Sequence, residues 1–110
     1  MQAEKFVQLE LPVNLEKIDY LKPMQEAIQN ILDLIWKGVI LQISPPATKQ
    51  LMSQHGKLIA FSNGEAYIKV SSLAIFRMAE KKLPDVEAAF KKAFGYKVKV
   101  SLVIGKTLNG

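Results

Sequence analysis

Apolar residues recur along this chain first at helical and then at strand spacing, and each change of period marks an element. From Met24, the positions Ile28, Ile31, Leu32, Ile35, Trp36, Val39 and Ile40 follow spacings of three and four, with Glu26, Gln29, Asp33 and Lys37 on the other side. This predicts an amphipathic helix anchored by Trp36. Ser44 before Pro45 reads as an N-cap followed by a first-turn proline, opening a short second helix over roughly 45–54 with Ala47, Leu51 and Met52 inward. Gly56 reads as its stop.

Strand signals follow. "KLIAFSNGEAYIKVSS" places Asn63-Gly64 between two β-prone runs, the pairing favoured where both turn residues need positive φ, so residues 57–71 are expected to form a hairpin. Ser71 and Ser72 are positioned to cap a further helix with Leu73, Phe76, Ala79 and Leu83 inward. Pro84 must kink that helix or begin a new one, because it has no N–H for a continuing turn. Val86, Ala89, Phe90 and Phe94 resume the pattern, and Gly95 ends it. "YKVKVSLVI" alternates Lys97 and Lys99 against Val98 and Val100, then turns apolar, which predicts a third strand buried at its far end. The expected fold is therefore α+β and two-layered, in the order α-α-β-β-α(kinked or split at Pro84)-β. Its small three-stranded mixed sheet packs against helices in a KH-like arrangement.

Residues 1–22 differ from the rest, with Pro12 and Pro23 bracketing a segment that keeps no sustained period, so they read as an N-terminal extension, partly disordered or an edge strand. The single domain is expected over 23–106, with 107–110 as a tail. One domain is what 110 residues with 49% apolar side chains can support.

Charge changes the picture by where it sits. Residues 1–40 hold six acids and four lysines, whereas residues 41–110 hold eleven Lys or Arg and four acids, so a body of net +7 follows a lead-in of −2. Such a body suits a polyanion or an acidic protein surface. Without cysteine there is no disulfide and no thiolate metal site. No apolar run approaches the ~18 residues that span a bilayer, and the start lacks the basic head and apolar stretch of a signal peptide. A cytoplasmic chain with no membrane partner is expected.

Candidate chemistry thins on inspection. The cluster "ISPPATKQLMSQHGK" holds Ser53 and His55 two apart, a spacing at which helical side chains diverge, and no nucleophile elbow surrounds either. "GKT" at Gly105–Thr107 has Val100 where a phosphate loop needs its first glycine, and too little chain after it for the required helix. Glu80, Asp85 and Glu87 among Lys81, Lys82, Lys91 and Lys92 read as surface pairing on a helix. No catalytic residue, cofactor or metal site is expected, and the chain does not read as an enzyme. What remains is a surface: Arg77, Lys81, Lys82, Lys91 and Lys92 as a basic helix face, with Lys69, Lys97 and Lys99 on the strands. Tyr67 and Tyr96 can stack bases or serve as half-buried strand residues. The G-x-x-G clamp of KH modules and the aromatic ribonucleoprotein strand motif are both missing, which leaves weak, sequence-tolerant binding of single strands as the nucleic-acid reading.

The run from Trp36 through "LQISPPATKQLMSQHGKLIAF", the hairpin "FSNGEAYIKVSS" and the end "LPDVEAAFKKAFGYKVKVSL" together resemble the C-terminal domain of the cyanobacterial type of DNA polymerase III subunit gamma/tau, a clamp-loader subunit. The resemblance covers about residues 32–103, and the element order is also similar to the N-terminal domain of the replication initiator DnaA. It implies a non-catalytic protein-interaction domain that tethers the replicative polymerase's catalytic subunit, the replicative helicase, or both, with self-association as a further expectation. A KH-like module binding single-stranded DNA or RNA is the alternative.

Overall fold

The computed structural model describes residues 16–105. In chain order these form α1 (Glu16–Leu41), α2 (Pro46–His55), β1 (Gly56–Ser62), β2 (Glu65–Val70), α3 (Leu73–Glu80), α4 (Leu83–Phe94) and β3 (Lys99–Ile104). The chain divides into two compact units between Asn30 and Ile31, each described by itself.

In the first unit α1 starts at Glu16, well before Met24, and carries Pro23 inside it. The expected extension is thus helical from Glu16, while residues 1–15, like the tail 106–110, lie outside the described residues. Pro23 removes one backbone hydrogen bond and crowds the carbonyl one turn back, without ending the helix. Leu21, Met24 and Ile28 are all about half exposed (49, 56 and 56%), so Ile28 does not take the core position its spacing suggests.

The second unit holds the sheet. Its strands lie in the order β1-β2-β3, with β1 antiparallel and β3 parallel to the central β2. Asn63 (φ 55°) and Gly64 (φ 77°) make the turn with both residues at positive φ, as the sequence predicts. A bulge at Ile59 then shifts the register between Leu58 and Ala60. The parallel pairing of β2 with β3 requires a crossover, which α3 and α4 provide. Pro84 splits these helices: α3 ends at Glu80, α4 begins at Leu83, and Pro84 occupies its first turn. Ser72 caps α3 by accepting from the Ile75 N–H at 3.2 Å. Gly95, at φ 82°, closes α4 in the left-handed conformation.

Helices cover one face of the sheet. Leu58, Ala66, Ile68, Val98 and Val100 meet Trp36, Val39, Met52, Ala79, Val86, Ala89 and Phe90 in one buried cluster. Phe90 is its hub, with ring centroids 6.1 Å from Trp36, 5.7 Å from Phe61 and 6.2 Å from Phe94. The Trp36 indole N–H donates to the Gly56 carbonyl at 3.0 Å, which ties α1 to the start of β1.

Several local expectations are corrected. Pro45, not Ser44, holds the N-cap of α2, and Pro46 opens the helix, because a proline pushes the residue before it into extended backbone. Of the residues expected inward on α2, Met52 is buried and Leu51 packs against the core, joined there by the buried Thr48, whereas Ala47 is exposed. Gly56 is extended (φ −110°), not a left-handed stop. Close approach favours glycine there: a Cβ would lie 3.1 Å from the Met52 carbonyl oxygen, 3.2 Å from Ile68 and 3.3 Å from Trp36. On α1, Ile31, Leu34 and Leu41 point away from the buried Trp36 row and are exposed. Leu73 is half exposed because the inward side of α3 centres on Ala79, a third of a turn away. The far end of β3 is not buried either, since Ile104 on this edge strand is 46% exposed.

Candidate interaction surfaces

The eight basic residues singled out in the sequence separate into distinct places. Arg77 is exposed on α3, and Lys81 and Lys82 are exposed in the turn leading to α4. Lys91 and Lys92 are exposed in the last turn of α4. Because α4 rises about 1.5 Å per residue, Lys82 at its N-cap and Lys92 near its other end stand roughly 15 Å apart along its axis, so the expected basic face extends from a patch at α3 and the following turn to the end of α4. Lys69 and Lys99 lie on the sheet, and Lys97 is exposed in the segment before β3.

The first patch includes apolar surface. Leu73 precedes Arg77 by one turn, and Ala74 and Met78 form the neighbouring row, with Leu73 51% and Met78 52% exposed. A basic side chain is thereby flanked by two large apolar ones.

Two acids have structural roles that the sequence reading assigned to surface pairing. The buried Thr48 hydroxyl donates to Asp85 Oδ2 at 3.0 Å, linking α2 to the first turn of α4. Glu87 Oε2 accepts the Val100 N–H at 3.0 Å, satisfying a backbone donor on the edge strand β3. The threonine in α2 was the only signal of the first, and nothing local in the sequence announces the second.

Ser53 and His55 are both exposed near the end of α2. A cleft lined by Gln42, Ser44, Pro45, Asp85, Ala88 and Lys92 measures only about 70 Å³, well below the ~300 Å³ of ordinary small-molecule sites. Among the described residues no group of three His, Cys, Asp or Glu is placed to hold a metal ion. No described helix is long and apolar enough to cross a membrane.

Among the described residues, the other face of the sheet carries no member of the buried core cluster. Cα pairing sets its side chains in three rows across β1, β2 and β3: Lys57, Lys69, Val103; then Ala60, Tyr67, Ser101; then Ser62, Glu65, Lys99. Six of the nine are exposed, and Lys69, Ser101 and Val103 are half-buried. Tyr67 stands at the centre, its hydroxyl donating to Glu65 Oε1 at 3.2 Å.

This is a small α+β domain. It belongs to the family described as the STICHEL, DnaA N-like alpha-beta domain, whose model matches residues 23–104. The DnaA N-like fold is thus established, and the family suggests a replication-related protein-interaction domain. No curated protein matches the chain.

Proposed function

We propose that the domain is a non-catalytic, cytoplasmic docking module of the replication machinery, the C-terminal part of a DNA polymerase III tau-like clamp-loader subunit. In this reading it tethers the replicative polymerase's catalytic subunit or the replicative helicase. The observation that carries it is the α3 patch, where exposed Leu73 and Met78 flank Arg77, with Lys81 and Lys82 following in the next turn. An apolar centre with a basic rim is the composition of a protein interface, and arginine beside large apolar groups is a frequent anchor. The resemblance of Pro45–Pro46, "LMSQHG" and "LPDVEAAF" to the tau-type domain supplies the partner class.

The test is a surface-binding titration of the chain against the polymerase III catalytic subunit and, separately, the replicative helicase. Saturable binding that persists at moderate salt is expected with one of them, and Arg77→Glu should weaken it about tenfold or more. An unchanged urea midpoint for Arg77→Glu shows that the variant is folded. Binding to neither partner, or self-association alone, overturns the tether.

A further inference from the structure

We infer that the open face of the sheet is a binding platform for single-stranded nucleic acid, separate from the α3 patch. The row-by-row register is the starting point. Lys57 and Lys69 are direct cross-strand partners in β1 and β2, so two lysines share a row on one face, with the Lys69 stem lying against Gly105. Such a pair destabilises a sheet unless something neutralises it. The one acid in the three rows of this face, Glu65, accepts from Tyr67 and lies beside Lys99 in the register. A phosphate between Lys57 and Lys69 would turn this repulsion into attraction.

Tyr67 supplies the second element. It occupies the middle of the three rows, on the central strand, flanked by the small residues Ala60 and Ser101. With no bulky neighbour to either side, a flat ligand can reach the ring, which is 38% exposed. Its hydrogen bond to Glu65, two residues back on the same face, ties the ring along the strand. An aromatic platform bordered by lysines is the arrangement that holds unpaired bases by stacking and their backbone by charge, without reading sequence. A duplex keeps its bases stacked on each other and cannot use Tyr67. An acidic protein segment could answer the lysines but gains little from the exposed ring, so charge and aromatic together favour the single strand.

The experiment is fluorescence anisotropy of a labelled oligothymidylate of about ten nucleotides, a length within the site size of comparable platforms, titrated with the chain at several salt concentrations. Saturable binding at low salt is expected, falling as salt rises. Tyr67→Ala should weaken it about tenfold with the salt slope unchanged. Lys57→Glu and Lys69→Glu should each flatten the log-log slope by about 0.7. The double change Lys91→Glu with Lys92→Glu, on the helix layer, should leave affinity within about twofold, and circular dichroism checks that every variant is folded. Four results overturn the inference: no saturable binding at low salt; a silent Tyr67→Ala, with the helix variant losing as much affinity as Lys57→Glu and Lys69→Glu; equal affinity for duplex of the same length; or displacement by polyglutamate as effective as by oligonucleotide. The last would reassign the face to an acidic protein partner.

Discussion

The two faces of the same three-stranded sheet are built from alternate residues of the same strands, yet they differ in almost every physical respect. On β2, Ala66, Ile68 and Val70 are buried beneath the helices, while Glu65, Tyr67 and Lys69 face the other way. The covered face is specified by packing, and each of its residues is held by several neighbours. The open face is specified only by register, and its residues are free to answer to a ligand. One strand thereby carries a structural and a recognition message at period two.

The difference is broken most forcefully at Phe90. This ring is fully buried and has Trp36, Phe61 and Phe94 around it. Phe90→Ala should cost about 3–5 kcal/mol, read as a lowered midpoint in urea unfolding. A loss below 1 kcal/mol would mean that the covered face is not the tightly packed layer described above.

Gly56 gives a smaller and more pointed test, because it lies where α2, β1 and Trp36 converge. A methyl group there would press on the Met52 carbonyl and on Trp36, whose indole hydrogen bond ends on the same residue. Gly56→Ala should cost about 1–3 kcal/mol through overpacking, with a change in Trp36 fluorescence. Were the glycine needed only to stop α2, as its place in the sequence suggests, the indole signal would stay as it is.

How far the sequence could be read follows the same division. Period and turn chemistry are local, so the hairpin at Asn63-Gly64, the Ser72 cap, the Gly95 stop and the α+β order were all legible. Ile28, Ile31 and Leu73 carry the hydropathy of core residues but not the position, because periodicity cannot say where a covering layer ends. The Thr48–Asp85 and Glu87–Val100 bonds join residues 37 and 13 positions apart, and no spacing rule reaches them. The lysines were visible as a charge excess. Their separation between α3, the end of α4 and the sheet depends on helix rise and strand register, which only the fold supplies.

The finest test sets stability against recognition at a single position. Lys57 lies directly opposite Lys69, and replacing it by glutamate makes a like-charged cross-strand pair an opposite-charged one. Opposite charges at such positions stabilise a sheet by about 0.2–1 kcal/mol, partly offset by the lower strand preference of glutamate, so Lys57→Glu should raise the urea midpoint slightly. The same change removes a phosphate contact and adds an anion to the platform, so oligonucleotide affinity should fall. A residue whose replacement strengthens the fold while weakening binding is held in place by what it binds. If Lys57→Glu instead lowers both stability and affinity, the lysine's stem is packing on the sheet and the loss of binding follows from the fold. If it raises stability and leaves affinity untouched, the open face contributes nothing to nucleic-acid binding, and the two faces differ only in what covers them.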